Sequence, residues 1–274
     1  MIITTYNLRA GGRAGRRVHW QRLLAGYAPD LLLLQETLDP AHYLESNVLE
    51  GHQGRIFWQP VEGRRWGSAL LVREGRVRQL EVPGFRGHVV GAEVEGTAWT
   101  RHTGRPLRVF SLHVPAPYKR PMHAILDFLA TLDDTHDLIL GGDFNLATGR
   151  RHISEALPGD PPWLLDRLRR EFNLMSAWQA VHPNESLAQT LRWSGNPSAP
   201  YHCDGVFVPA GWYRHLDACD VVAGGDWDAL SDHNPVVVTL SPSSGIARKA
   251  PARAGTRRLP TSATRRSTRT TGPR

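Results

Sequence analysis

Long apolar runs and cysteines are both scarce in this chain, and each shortage excludes a class of protein. No apolar run approaches the roughly 20 residues that a transmembrane helix needs. Two cysteines, Cys203 and Cys219, are too few for the disulfide framework of a secreted domain, and no CxxC pair suggests zinc. The first residues, MIITTYN, have the pattern of a strand and leave no room for a secretory leader. We therefore predict a cytoplasmic protein with reduced thiols and no membrane span.

Motifs of several large enzyme classes are missing as well. The chain has no P-loop (GxxxxGKS/T), no GxGxxG after a strand and no Ser/His/Asp spacing of a nucleophilic triad. These absences argue against nucleotide-fold kinases, dinucleotide enzymes and acyl-transfer enzymes as first choices.

Basic charge is concentrated at one end of the chain. The formal net charge is +7, but residues 241–274 hold nine of the 33 lysines and arginines and none of the 26 acids. The other 24 basic residues nearly balance those 26 acids. Residues 241–274 are rich in Ser, Thr, Pro, Gly and Arg, so we predict a disordered basic tail that binds polyanions or, alternatively, only solubilises the protein. Residues 1–240 are the predicted catalytic domain.

Eight strand-like runs and three helix-like stretches occupy residues 1–240. Many of the runs are continuous apolar blocks, which is typical of strands covered on both faces. The middle of the chain, 54–114, has the pattern of mostly strands without helices. We predict an α/β (α+β) fold in which two sheets pack face to face with helices outside. The predicted strands are 2–7, 30–35, 67–72, 88–95, 107–114, 137–142, 203–208 and 235–240, and the predicted helices are 17–27, about 120–132 and about 162–173.

Polar side chains stand at the ends of these predicted strands. Each one alone has a structural explanation: Asn7 could form a turn, Glu36 could be a solvated charge and His113 a core histidine. Together they indicate a site, because strand ends on a rigid sheet are where such proteins place function. The set comprises Asn7, Glu36, His113, Asp143, Asn145, Asp204, Asp232 and His233.

The chemistry of this set favours in-line hydrolysis of a phosphoester. The oxygen-bearing side chains of Asn7, Glu36 and Asp232 suit a hard divalent ion, Mg²⁺ with Mn²⁺ as a substitute. Asp143 can orient and deprotonate a water, and Asn145 can donate to a phosphate. The histidine of SDHN, next to a carboxylate, can stabilise charge that develops on a phosphoryl group.

Six short motifs, in this order, resemble the endonuclease/exonuclease/phosphatase superfamily, a group similar to deoxyribonuclease I. They are the Asn of TYNLR, the Glu of LLLLQET, the His of HVP, the GGDFN pair, the Asp of CDGVFV, and SDHNPV. The resemblance runs from residue 2 to about residue 240. It implies a four-layered sandwich of two mixed β-sheets flanked by helices.

The resemblance also implies roles at the metal. Asn7, Glu36 and Asp232 would hold the ion, directly or through water, with Glu36 the main ligand. Asp143 would activate the attacking water. The two glycines of GGDFN would let the substrate phosphate approach the backbone.

Further implied roles concern the substrate. Asn145 and His113 would contact the scissile phosphate, and Arg9 would reach a phosphate as well. His233 would stabilise the pentacovalent transition state, while Asp204 would fix its tautomer through a hydrogen bond.

Nucleic acid is the substrate that the sequence favours. Arg9, Arg64, Arg65 and Trp66 offer guanidinium groups and an aromatic face that suit a nucleic-acid backbone, although a solvated loop would also explain them. We predict a monomeric, metal-dependent endonuclease or exonuclease. Two alternatives stay open: a phosphatase or phosphodiesterase for a small or lipid phosphoester, and a nucleic-acid-binding protein without catalysis.

Overall fold

Two β-sheets of six strands each dominate the computed structural model of the protein. The structure describes residues 1–12, 17–157 and 160–242, so the predicted basic tail lies outside the described residues beyond residue 242. The strands are β1 Ile2–Asn7, β2 Leu31–Thr37, β3 Ile56–Pro60, β4 Gly67–Val72, β5 Arg76–Leu80, β6 Val89–Glu95, β7 Leu107–His113, β8 Asp137–Asp143, β9 Leu174–Ser176, β10 Asp204–Pro209, β11 Leu216–Val221 and β12 Val236–Leu240.

Both sheets are mixed. The first has the order β11-β12-β1-β2-β4-β3, and the second has the order β5-β6-β7-β8-β10-β9. β1 and β2 run parallel in the first sheet, as do β7 and β8 in the second, and the remaining neighbours run antiparallel. The predicted pair of mixed sheets is therefore confirmed.

Helices cover the outer face of each sheet. Trp20 and Leu23 of helix α1 (His19–Tyr27) pack on the first sheet. Ile125 of α4 (Lys119–Leu129) and Leu164 and Leu168 of α5 (Pro162–Phe172) pack on the second. The layers run from helix to sheet to sheet to helix, which is the predicted four-layered sandwich. The helices are α1 His19–Tyr27, α2 Ser46–Gly51, α3 Ala98–Thr103, α4 Lys119–Leu129, α5 Pro162–Phe172, α6 Ala177–Val181 and α7 Asp226–Leu230, with 3₁₀ turns at Pro40–His42, Ile153–Glu155 and Ala210–His215.

The run LLLL of β2 shows why the strands are continuous apolar blocks. Leu31 and Leu33 pack in the core between the sheets. Leu32 and Leu34 point the other way and pack beneath α1. Both faces of the strand are dry, so alternation between polar and apolar residues is lost.

The middle of the chain, 54–114, consists mostly of strands, as expected, but it also contains the helix α3, which was not expected. The hydroxyl oxygen of Thr97 caps this helix by accepting the Thr100 N–H at 3.0 Å. Gly104, with φ +72°, ends it in the left-handed conformation. These two local signals determine where the helix begins and ends, and they are easily overlooked in a region of strands. No described helix combines the length and the apolar character that crossing a bilayer requires.

The two glycines of GGDFN allow neighbouring strands to approach closely. A Cβ on Gly141 would lie 2.4 Å from Cδ1 of Leu33 in the opposite sheet. Gly142 has φ +148°, and a Cβ there would lie 2.0 Å from the carbonyl oxygen of Leu112 in β7. The glycines therefore serve close packing of sheet on sheet and strand on strand, and the expectation that they also admit substrate phosphate stays a prediction.

Replacing Gly142 with Ala should lower the free energy of unfolding by about 2–4 kcal/mol, because the methyl group meets backbone that cannot move aside and φ is unfavourable. Gly141→Ala should cost less, since the Leu33 side chain can shift. Thermal unfolding of both variants checks this order. A Gly142→Ala protein with normal stability and reduced activity would instead support the explanation that the glycines let the substrate phosphate approach the backbone.

Candidate active site

Five of the candidate side chains meet at one edge of the sandwich because of strand direction. Asn7 ends β1, Glu36 lies one residue before the end of the parallel β2, and His113 ends β7. Asp143 ends β8, which runs parallel to β7, and pairs in register with His113. Asp204 begins the antiparallel β10 directly opposite Asp143. The topology thus brings together residues that are far apart in sequence.

Asn7 joins the two sheets at this edge. Its side-chain nitrogen donates to Oδ2 of Asp143 at 2.9 Å and lies 3.4 Å from Oε1 of Glu36. Its oxygen accepts the Arg9 main-chain N–H at 2.8 Å. Asn7 is fully buried, with 0% exposure. Its amide therefore orients two carboxylates, one from each sheet.

Glu36 is presented by an irregularity of β2. The pairing with β4 shifts register between Leu34 and Thr37, and Glu36 has φ +49°. Its Oε2 accepts the Ala10 N–H at 2.7 Å. Its Oε1 faces Asn7 and lies 3.5 Å from Nε2 of His113. A bulge of this kind re-aims a side chain away from its strand, which here turns the carboxylate toward the site.

Asp143 is the most enclosed of the acidic groups that face the open edge. Its Oδ1 accepts the Asn145 N–H at 2.9 Å, and its Oδ2 lies 3.8 Å from Nε2 of His233. Asn145 itself has φ +50°, and its side-chain nitrogen donates to the carbonyl of Val114 at 3.0 Å. The Asn145 amide nitrogen therefore ties down the loop in this structure, and its main chain holds Asp143.

His233 and Asp204 form a buried pair. Nδ1 of His233 lies 2.8 Å and 3.0 Å from the two oxygens of Asp204, which has 0% exposure. Burial by itself lowers the pKa of His233, but the carboxylates of Asp204 and Asp143 outweigh burial and raise that pKa to about 10. We place the shared proton on the imidazole, because two carboxylates face this ring. The ring then presents a fixed cation to the site.

The SDHN segment is braced by its own serine. The Ser231 hydroxyl donates to the Asn7 carbonyl at 2.8 Å and accepts the His233 N–H at 3.1 Å. Asp232 projects beside it and forms an ion pair with Nε of Arg9 at 3.2 Å. The Arg9 side chain is 58% exposed, and a cavity of about 450 Å³ lies between this ion pair and Arg192. Arg9 thus stands at the accessible rim of the site.

His113 borders the site together with two aromatic rings. The ring centroids of Trp66 and His88 lie 5.5 Å and 5.6 Å from that of His113. Its Nδ1 is buried and has no hydrogen-bond partner among the described residues. Burial lowers the pKa of His88, and the neighbouring His113 lowers it further by a smaller amount. Both effects favour the neutral form of His88.

Two residues that support the site were missed by the sequence analysis. The Thr190 hydroxyl accepts the Asp204 N–H at 3.1 Å, and the Arg192 main chain donates to the carbonyl of Asp232 at 2.8 Å. The Arg192 guanidinium also donates to the carbonyl of Ser231 at 2.7 Å. These residues lie outside any strand-like run, so periodicity could not single them out, and only their contacts identify them.

The donor set of the site fits a hard divalent ion. Oε1 of Glu36 has long contacts with Asn7 Nδ2 at 3.4 Å and His113 Nε2 at 3.5 Å, and the Glu36 side chain is 22% exposed. Asp232 is exposed to a similar degree, 23%. Partly exposed carboxylate oxygens of this kind suit Mg²⁺, which keeps some of its water. The Asn7 oxygen, in contrast, is engaged by the main chain.

The chain resembles known proteins in its family signature and in its fold. A family model described as the Endonuclease/Exonuclease/phosphatase family matches residues 4–233. A search of curated proteins finds no significant match.

Solved structures share the fold at low sequence identity. A 3′ phosphatase from Neisseria bound to product DNA hairpin is 20% identical with a TM-score of 0.65, and a 3′-5′ exonuclease from Neisseria meningitidis is 20% identical with a TM-score of 0.64. An AP endonuclease from Archaeoglobus fulgidus is 17% identical with a TM-score of 0.61. Each match covers 88% of this chain and 99% of the other.

Proposed function

We propose that this chain, which belongs to the endonuclease/exonuclease/phosphatase family, is a Mg²⁺-dependent nuclease that hydrolyses phosphodiester bonds of nucleic acid. The family match confirms the resemblance found in the sequence, and with it a phosphoester hydrolase that depends on a divalent metal. The observation that carries the proposal is the continuous contact chain from Glu36 through Asn7 and Asp143 to the His233–Asp204 pair.

Glu36 and Asp232 are the residues that would hold the metal, with Asn7 orienting Glu36. When bound, the ion supplies a Lewis acid that withdraws charge from the phosphate oxygens. The two carboxylates differ in their surroundings: Glu36 is held by the Ala10 N–H, whereas Asp232 is balanced by Arg9. We therefore assign Glu36 as the main ligand.

Asp143 orients the attacking water and accepts its proton. Asn7 and the Asn145 main chain hold the two oxygens of this carboxylate from opposite sides, so it cannot rotate. A fixed base of this kind does not need to reorganise when the water attacks.

His233 stabilises the charge that develops on the phosphoryl oxygens. The ring is held at Nδ1 by Asp204, which leaves Nε2 on the side of Asp143 to donate to the substrate. A preorganised cation in a water-poor site is among the strongest stabilisers of such charge. His113, with its ring against Trp66, is assigned to the same phosphate.

Nucleic acid as the substrate is supported by two observations. The exposed Arg9 lies at the rim of the site, and Arg64 and Arg65 are exposed on the loop that carries Trp66 toward His113. Structures with this fold include a phosphatase bound to product DNA and a 3′-5′ exonuclease. The basic tail, a cytoplasmic location and a monomeric state stay predictions from the sequence.

The test is nicking of supercoiled plasmid by the purified protein in Mg²⁺, with EDTA as the metal-free control. We expect nicking that EDTA abolishes. Absence of nicking, with Mg²⁺-dependent hydrolysis of a small phosphomonoester or a lipid phosphodiester, would move the function to the alternative substrate class. Absence of hydrolysis on every substrate would favour the binding protein.

Replacing Glu36 with Gln should raise the Mg²⁺ concentration needed for half-maximal nicking by about 10-fold or more, because a neutral amide is a weaker ligand for a hard cation. Excess Mg²⁺ should restore part of the rate. Glu50→Gln, at an exposed position of α2, is the matched control. An unchanged Mg²⁺ requirement in Glu36→Gln would remove this residue from the metal site.

A further inference from the structure

A buried thiol lies directly behind the His233–Asp204 pair. Sγ of Cys203 lies 3.5 Å from Oδ2 of Asp204, the oxygen that is 2.8 Å from Nδ1 of His233. The three side chains bring one ligand atom each within 4.8 Å of one another. The proposed hydrolysis makes no use of the thiol.

Hydrogen bonds hold the backbone that carries all three donor side chains. The Thr190 hydroxyl accepts the N–H groups of both Cys203, at 3.0 Å, and Asp204, at 3.1 Å. The N–H of His233 is bound to Ser231, and Leu191 forms a bridge to His233. A donor set fixed by its backbone loses little entropy when an ion binds, which favours affinity.

The types of donor select the ion. A thiolate, an imidazole and a carboxylate together are the ligands of Zn²⁺ and similar thiophilic ions, with Zn–S near 2.3 Å and Zn–N near 2.0–2.1 Å. Mg²⁺ requires oxygen ligands in an octahedron and does not favour a thiolate. Cys203 and His233 keep 7% and 6% of their surface exposed and Asp204 keeps none, so the three side chains form a buried group.

We propose that Cys203, Asp204 and His233 form an inhibitory site for thiophilic divalent ions such as Zn²⁺ and Cd²⁺. Binding forms one bond from the ion to each of Sγ, a carboxylate oxygen and Nδ1, and it releases the thiol proton and the Nδ1 proton to solvent. The ion replaces the hydrogen bond between His233 and Asp204, so the imidazole can no longer act as a fixed cation. The inhibition rests on the proposed function, whereas the binding does not.

Titration with Cd²⁺ alone tests the site, because a thiolate bound to Cd²⁺ has a charge-transfer absorption in the ultraviolet. The full-length wild-type protein should show this absorption, saturating at one equivalent of Cd²⁺. Cys203→Ser should abolish it, and Cys219→Ser should retain it. Cys219 is the matched control because it is the other buried cysteine and lies in β11, away from the site.

Absence of the band in the wild-type protein, or its persistence in Cys203→Ser, would overturn the proposal. Loss of the band in Cys219→Ser but not in Cys203→Ser would do the same. Thermal unfolding of both variants establishes that each is folded before the titration. Because this readout needs no turnover, it decides the binding even if the protein proves not to be a nuclease.

A second arm measures inhibition of nicking by Zn²⁺ at saturating Mg²⁺, with each variant compared with its own rate without Zn²⁺. Saturating Mg²⁺ competes with Zn²⁺ for Glu36, and the comparison of the two cysteine variants isolates the effect at Cys203. The Zn²⁺ concentration for half-inhibition should rise about 10-fold or more in Cys203→Ser, because one of three ligands has been lost. It should not change in Cys219→Ser. Equal inhibition of wild type and Cys203→Ser would show that the ion does not act here.

Discussion

Replacing Asp143 with Asn should lower kcat for phosphodiester hydrolysis by about 10²-fold or more while leaving the fold intact. The carboxylate is 2% exposed and is fixed by Asn7 and by the Asn145 main chain, so it is the base best placed to receive a proton from water. An amide of the same shape keeps the packing but cannot accept that proton. The measurement is the single-turnover rate on a defined oligonucleotide, together with thermal unfolding.

Asp134→Asn is the matched control for this substitution. Asp134 is exposed in the turn before β8, at the opposite end of the same strand. Its replacement removes one negative charge from the protein without touching the site, and the rate should remain at the wild-type level. A near-normal rate in Asp143→Asn would remove Asp143 from the catalytic role.

The second large effect concerns His233 and its buried partner. His233→Ala should lower kcat by about 10²-fold or more, because it removes the cation that faces the phosphoryl oxygens. The same change should lower the free energy of unfolding by about 3–5 kcal/mol, because it leaves the fully buried Asp204 carboxylate without its partner. Activity and stability should therefore fall together in this variant.

Adding Asp204→Asn to His233→Ala should separate the two effects. The double variant no longer buries an unpaired charge, so part of the lost stability should return, while kcat should stay at the level of His233→Ala. Asp204→Asn alone should reduce kcat by about 10-fold or more, since the imidazole loses its orientation. Chemical denaturation measures the stability of the three variants, and single-turnover kinetics measures their rates of hydrolysis. Together they form a double-mutant cycle. If the two changes reduced kcat independently, Asp204 would not act through His233.

The sequence alone predicted the buried strands well. The four strands that were not predicted show the physical reason. The eight predicted strands are the central ones, which include β2 with its run LLLL and β8 with LILGG. The four that were not predicted, β3, β5, β9 and β11, are the edge strands of the two sheets. β3, β5 and β11 are covered less completely than the central strands, and RVRQL of β5 is mostly exposed, so their composition does not reveal them. β9 has only three residues, which is too short for a pattern to show.

The short helices were missed for a related reason. α1, α4 and α5 have 9 to 11 residues and bury one apolar face, so their periodicity is visible. α2, α3, α6 and α7 have five or six residues, which is too few turns for a period to show. Their positions follow from caps such as Thr97 and from the packing around them.

By itself, the sequence determined which residue types stand at the strand ends, because apolar runs and their polar termini are local properties of the chain. Strand order and direction decided the rest. The parallel pairs β1–β2 and β7–β8, with β10 antiparallel to β8, bring Asn7 and Asp143 to 2.9 Å across 136 positions of sequence. The tertiary structure also decided which atom of each side chain faces the site. The Asn145 amide bonds to the carbonyl of Val114, and Gly141 and Gly142 pack against Leu33 and Leu112, because of contacts between distant segments. The local sequence does not specify these neighbours, which set the space around each residue.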